Sequence, residues 1–179
     1  MPLTDSEKKA LLDIARSSIE SHLLDKGIEI QANSPALLDK RGAFVSLHKW
    51  GHLRGCIGSF TSDIPLYKTV SDMAIAAATQ DPRFMPVDYE EMKSISLEIS
   101  VLSPLKETDP SDIEVGRHGI YIIKGRNRGV LLPQVATEHG FDRVRFLEET
   151  CLKAGLEPDD WKRGATILTF EAEIFLEPK

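Results

Sequence analysis

The sequence predicts an α+β fold, built on a mainly antiparallel sheet with flanking helices. Three observations predict it. The elements read in the order helix, hairpin, helix, strand, hairpin, helices, strand, and hairpins with flanking helices define the α+β class. No strand is followed by a G-x-G-x-x-G turn, and no G-x-x-x-x-G-K-S/T segment occurs. The Rossmann and P-loop readings therefore lack their fingerprints. The chain has 179 residues, 41% of them hydrophobic, enough to fill the core of one domain or of one domain with a lobe.

The first helix is expected over 5–24. Thr4 and Glu7 fit a capping box, in which each side chain satisfies a free backbone donor of the first turn. Leu11, Leu12, Ala15, Ile19 and Leu23 form its apolar stripe, and Gly27 is a stop. A hairpin follows, with strands over 43–48 and 52–57. Lys49-Trp50-Gly51 reads as a three-residue loop with Gly51 left-handed. Asp63 and Pro65 open a second helix with the stripe Leu66, Val70, Met73, Ala74 and Ala77. Asp81-Pro82 ends it, because proline disfavours helix at the preceding residue. Residues 95–102 alternate apolar and polar, as a half-buried strand does. Residues 104–115 read as an acidic loop. Short strands at 119–123 and 129–132 flank the basic turn Lys124-Gly125-Arg126-Asn127-Arg128. A short helix follows Pro133, and a longer one runs over 142–154 with the stripe Val144, Leu147, Cys151 and Leu152. One last strand is expected over 165–176, with Thr166, Leu168, Phe170, Ala172, Ile174 and Leu176 sharing a face.

Charge and cysteine usage exclude several classes. With 22 Lys+Arg against 28 Asp+Glu the net charge is −6, which excludes a globally basic nucleic-acid binder but not a local basic patch. The basic turn at 124–128 has no interleaved aromatics, so single-stranded nucleic-acid binding is weakly supported and a solvated hairpin tip is the simpler reading. No apolar run is long enough for a membrane span, and the opening residues lack a signal-peptide run, so the cytoplasm is the expected location. Cys56 and Cys151 are too few for a disulfide framework, and neither sits in a C-x-x-C pair. No cofactor and no metal site are expected. Cys151 falls on a helix stripe and reads as core.

One segment carries chemistry: Leu53-Arg54-Gly55-Cys56-Ile57-Gly58. On a strand, His52, Arg54 and Cys56 share a face. With a three-residue loop, His48 lies opposite His52, Ser46 opposite Arg54 and Phe44 opposite Cys56. A neighbouring arginine or protonated histidine favours a thiolate, which makes Cys56 a candidate nucleophile. Gly55 and Gly58 leave room for a substrate or another backbone. Gly58 also permits a turn whose N–H groups bind an anion. The bland reading is a buried cysteine beside glycines at a bulge.

This segment resembles the hallmark of the AMMECR domain family, whose prokaryotic members are also called AmmeMemoRadiSam system protein A. Asp81-Pro82-Arg83-Phe84, Glu98-Ile99-Ser100-Val101-Leu102-Ser103, Arg117-His118-Gly119, the run Gly129 to Val135, Cys151-Leu152-Lys153-Ala154-Gly155-Leu156 and Trp161 fit the same family in the same order. Met85 departs from the proline more usual there. The resemblance implies a single AMMECR domain of two lobes, the larger made from the N- and C-terminal parts and the smaller from the middle, with a cleft between them. It also implies association with a Memo-like protein and a radical SAM protein in a modification pathway.

Other candidates follow. Glu98 is an acid/base partner or a solvent-facing strand residue. Arg83 binds an anionic substrate or holds backbone carbonyls. His118 carries the same ambiguity, and Gln134 in a first helical turn reads a ligand or satisfies backbone. Three functional readings stay open. The chain is an enzyme with Cys56, Arg54, Glu98 and His118 as catalytic residues and Arg83, Gln134, Gly55 and Gly58 as ligand-binding ones. Or it is a non-catalytic module for a Memo-like or radical SAM partner or a nucleic acid. Or the hallmark is purely structural.

Overall fold

The computed structural model describes residues 2–178. The chain divides into two compact units, one holding the residues up to Leu102 and from Glu173 onward, the other Ser103–Ala172.

The first unit begins with helix α1 (Asp5–Leu23). Its capping box is present, with the Thr4 N–H donating to Glu7 Oε2 at 2.7 Å and the Glu7 N–H to Thr4 Oγ1 at 3.3 Å. A one-turn helix α2 (Pro35–Leu38) follows, then strands β1 (Ala43–Lys49) and β2 (His52–Ser59), helix α3 (Leu66–Thr79) and strand β3 (Ile95–Leu102). The second unit has strand β4 (Lys106–Glu107), hairpin β5 (Gly119–Lys124) and β6 (Asn127–Leu131), helices α4 (Pro133–His139) and α5 (Arg143–Lys153), and strand β7 (Thr166–Phe170). Strand β8 (Ala172–Leu176) comes last and pairs back in the first unit. The two antiparallel sheets have strand orders β2-β1-β3-β8 and β4-β7-β5-β6, so the fold is α+β.

In the first unit α1 and α3 pack on one face of the sheet. Val45, Leu47, Leu97 and Ile99 point down from the strands to meet Leu11, Ile19, Val70 and Ala74, all fully buried. Period-2 alternation leaves Phe44, Ser46, His48 and Glu98 on the opposite face, where they are only partly covered. Ser18 and Ser71 bridge α1 to α3 through a hydroxyl pair 2.7 Å apart, so the buried polar atoms satisfy each other. The second unit packs α5 on β5 and β6 around Ile120, Ile122, Phe146, Leu147 and Cys151.

Several expectations are corrected. The hairpin loop holds two residues, Trp50 and Gly51, both with positive φ as a type I′ turn requires. The single final strand is two strands in different sheets. Glu171 breaks it: its N–H donates to Ser103 Oγ and its carbonyl accepts the Ser103 N–H, both at 2.8 Å. The buried residues there are Ile167, Thr169, Phe170 and Phe175, so of the expected face Phe170 is buried while Ile174 and Leu176 are exposed. Apolar residues stand at both parities in this stretch, so alternation could not choose the face. On α5 the core takes Phe146, Leu147, Thr150 and Cys151, leaving Val144 and Leu152 exposed. Helix α3 starts at Leu66, capped by Pro65, rather than at Asp63.

Candidate functional site

The chemistry-bearing residues of the first unit gather around Cys56 on the edge strand β2. Near the turn, Lys49 pairs with His52 and His48 with Leu53. Beyond it, Leu47 pairs with Gly55, Ser46 with Cys56 and Phe44 with Gly58. Arg54 is the extra residue of a β-bulge at this shift. The expected pair His48–His52 is therefore displaced by one position, from the shorter loop, and the expected pairs Ser46–Arg54 and Phe44–Cys56 by two, one from the loop and one from the bulge. A displacement of two preserves parity, so Cys56 keeps the face that Phe44, Ser46 and His48 occupy. Ser46 also pairs with Glu98 on its other side. Cys56, Ser46 and Glu98 thus form one row across three strands, opposite the core.

Within this row the Ser46 hydroxyl donates to the Cys56 sulfur at 3.1 Å and orients it. The thiol belongs to a half-buried residue, whereas Cys151 is fully buried and burial pushes its thiol up. His48 Nε2 lies 4.0 Å from Glu98 Oε2 and, though buried, has no hydrogen-bond partner among the described residues. The row and the neighbouring His48 bring a thiol, a hydroxyl, a carboxylate and an imidazole onto one sheet surface. Among the described residues no group of three or more His, Cys, Asp or Glu is placed to hold a metal ion.

The open edge of β2 is held by the segment just after α3. The Cys56 N–H donates to Asp81 Oδ2 at 2.9 Å, and Arg83 Nη2 donates to the Cys56 carbonyl at 3.3 Å. Together they replace the strand that an edge lacks. Arg83 also grips Asp81 side-on, with Nε on Oδ1 at 3.0 Å and Nη2 on Oδ2 at 2.7 Å. The Asp81 side chain is only 2% exposed. The Arg83 guanidinium holds its carboxyl well below the usual carboxylate range; burial opposes this, and the N–H groups of Cys56 and Arg83 reinforce it.

Arg54 turns to a different partner. Its Nε and Nη2 bind the two oxygens of Glu91 at 2.8 and 3.1 Å, and its Nη1 binds the Met85 carbonyl at 2.8 Å. Lys49 Nζ joins the same Glu91 oxygen as Nε at 2.9 Å. Glu91 is held below its ordinary range chiefly by Arg54, with Lys49 adding and burial opposing. All three Arg54 nitrogens are occupied by the chain itself.

The two glycines are filled from within. A Cβ on Gly55 would stand 2.2 Å from the Ala77 carbonyl oxygen, so this strand touches the last turn of α3 backbone to backbone. A Cβ on Gly58 would stand 2.3 Å from the Phe44 ring, which lies edge-on to Phe60 with centroids 4.9 Å apart. Gly58 lies inside β2 rather than at a turn.

His118 and Gln134 belong to the second unit. His118 Nδ1 accepts the Glu114 N–H at 3.0 Å, which places the ring proton of the neutral form on Nε2, 3.9 Å from Glu171. Gln134 lies half-buried in the first turn of α4. The sequence reading missed Asp81, Ser46 and Glu91. The sequence marks Asp81 as a helix stop and as part of the family segment Asp81-Pro82-Arg83-Phe84, without a role of its own; an Asp two residues before an Arg on a turn was the available signal, since that spacing allows the side-on grip.

The profile of the AMMECR1 family matches residues 12–175. A protein of Methanosarcina barkeri is 44% identical, covering 98% of this chain and 92% of that protein. A protein of Methanocaldococcus jannaschii is also 44% identical, over 98% of this chain and 92% of its own. The crystal structure of an uncharacterized protein from Pyrococcus horikoshii superposes with a TM-score of 0.79 at 42% identity, covering 93% of this chain and 89% of that one. The chain belongs to the AMMECR1 family. Among the described residues no helix is long and apolar enough to cross a membrane.

Proposed function

We propose that the outer face of β1, β2 and β3 is an active site that uses Cys56 as a nucleophile for group transfer or hydrolysis. The observation that carries this reading is the row Cys56–Ser46–Glu98, with the sulfur of a half-buried residue oriented by the Ser46 hydroxyl. A nucleophile needs a nearby proton acceptor. Glu98 and His48, on the same face, are the candidates. Cys56 gives its proton to one of them, the sulfur attacks an acyl-type carbon, and the leaving group departs with that proton. Water then releases the product and restores the thiol.

An activated ester tests the reading without knowledge of the substrate. p-Nitrophenyl acetate should give a burst of one nitrophenolate per chain and an acetyl group on the Cys56 peptide. Cys56→Ser should abolish both. A native protein that acquires no label on Cys56, yet labels fully once unfolded, would remove the nucleophile.

A second reading is a binding module for a Memo-like or radical SAM partner. Its support is the hairpin tip, where Trp50 is 80% exposed and Leu53 is exposed as well. Large apolar groups brought to the surface mark interaction sites when they cluster. Co-purification with such a partner, lost in Trp50→Ala, would favour it. Separate elution of the two proteins at high concentration would count against it.

A further inference from the structure

We infer that the substrate of the Cys56 site carries an oxyanion, a carboxylate or a phosphate, and that Arg83 Nη1 is its seat. The inference rests on the reading of Cys56 as the nucleophile.

Two arginines flank Cys56 along the chain, and the structure separates them. Every Arg54 nitrogen already has a partner in the chain, Glu91 on Nε and Nη2 and the Met85 carbonyl on Nη1, and the side chain is only 17% exposed. Arg83 is used differently. Asp81 takes Nε and Nη2, and the Cys56 carbonyl takes a second bond from Nη2. Nη1, with two N–H donors, has no partner among the described residues. The side chain is 55% exposed while its partner Asp81 is 2% exposed. The Phe84 ring also lies against the guanidinium, 5.4 Å from its central carbon.

Physical consequences follow from this pattern. A guanidinium fixed on three bonds has already lost its side-chain freedom, so an incoming anion does not have to order it. Asp81 already takes the Nε–Nη2 fork, so the two remaining N–H donors are both on Nη1, where they can hydrogen-bond the oxygens of a carboxylate or phosphate. Because Nη2 touches the carbonyl of Cys56 itself, the open Nη1 lies beside the residue that carries the reacting sulfur. Asp81 neutralises part of the charge, which favours a directional, hydrogen-bonded anion over a loosely held counterion.

The experiment compares two alkylating reagents on the wild-type protein, with peptide mapping to assign label to Cys56. Iodoacetate carries the carboxylate and iodoacetamide does not, so the ratio of their rates cancels the intrinsic reactivity of the thiol. The ratio at Cys56 should exceed that of free cysteine in the same buffer by roughly fivefold, and should fall with added salt. Arg83→Gln should return it to the free-cysteine value. Should that variant unfold, competition decides on the wild type alone: phosphate or acetate, at ionic strength matched with chloride, should slow iodoacetamide. Stronger protection by phosphate assigns a phosphorylated substrate, and stronger protection by acetate a carboxylate. Reaction of both reagents at the free-cysteine ratio, with no protection by either anion, overturns the anion seat and leaves the nucleophile standing. No native reaction with either reagent overturns the nucleophile and the seat with it.

Discussion

The Cys56 N–H donates to the Asp81 carboxylate across 2.9 Å, and this one bond makes the end of a helix the neighbour of an edge strand. Asp81 accepts four bonds, three from Arg83 and one from Cys56. It is buried and charged, and its charge is matched by Arg83 at 2.7 Å. Removing it leaves the Cys56 N–H without its partner and frees Arg83 to swing into solvent.

Asp81→Ala should therefore destabilise the protein by about 2 kcal/mol, the scale of losing hydrogen bonds to a charged group. Asp81→Asn keeps an acceptor for the Cys56 N–H and should lose less. Urea denaturation checks both. A change within the ~0.5 kcal/mol typical of surface substitutions would mean the strand edge is held by something else.

Acid should expose the same bond. Asp81 and Glu91 are both held below their ordinary carboxylate values, by Arg83 and by Arg54 respectively. A depressed carboxylate stabilises the fold above its unfolded value, about 3.9 for Asp and 4.3 for Glu. That stability is lost as pH falls from there toward the folded value, because the unfolded chain takes up the proton first. Stability measured between pH 7 and pH 5 should stay nearly level on account of these groups and drop steeply below about pH 4. Asp81→Asn should flatten that drop. An equally steep acid limb in Asp81→Asn would assign it to other carboxylates.

Much of this was legible in the sequence. The Thr4–Glu7 capping box, the parity of Cys56 with Ser46, and the alternation of 95–102 follow from local rules that tertiary structure left alone. The bulge at Arg54 was not legible, because a bulge is set by how two strands meet α3 and the turn rather than by residue type. Nor was the partner of Arg54: Glu91 lies far along the chain, in a short turn whose Met92 is buried. The split at Glu171 was hidden because apolar residues occupy both parities around it. For the site, Cys56, Arg83 and Glu98 came from the sequence, whereas Asp81 emerged only once its carboxylate met the Cys56 backbone.

The glycines of the hallmark should differ in what they tolerate. At Gly55 the obstacle is the backbone carbonyl of Ala77, 2.2 Å from where an added methyl group would stand, and backbone of a packed helix yields little. At Gly58 the nearest obstacle is the Phe44 side chain, with the Ala43 carbonyl at 2.7 Å behind it. Overpacking costs typically about 1–3 kcal/mol. Gly55→Ala should fall at or above the top of that range and Gly58→Ala nearer the bottom. Thermal melts that rank them the other way would mean that Phe44 is the rigid partner and α3 the yielding one.

The two cysteines should likewise separate. Cys151→Ser buries a hydroxyl in the apolar core of the second unit and should cost about 1–3 kcal/mol. Cys56→Ser keeps a small polar group beside Ser46, at a half-buried site, and should change stability by less than about 1 kcal/mol. Circular-dichroism melts of both variants test this. Equal losses at the two positions would favour the purely structural reading of the hallmark.

Trp50 should be replaceable with gain. It adopts φ 52°, a left-handed conformation that a bulky side chain rarely takes, at a two-residue turn with Gly51. Left-handed backbone costs an ordinary residue about 1–2 kcal/mol, and asparagine bears it far better. Against this stands Lys49 Nζ, 5.0 Å from the centre of the Trp50 ring, a cation–π contact worth about 0.5–1 kcal/mol at an exposed site. The difference favours Trp50→Asn by roughly 0.5 kcal/mol. A rise in urea midpoint would mean that the exposed indole is kept for contact with something outside the chain, and the partner-binding assay should then lose its signal in the same variant. A fall would mean that the indole holds the hairpin together, and the case for a partner at this tip would lose its support.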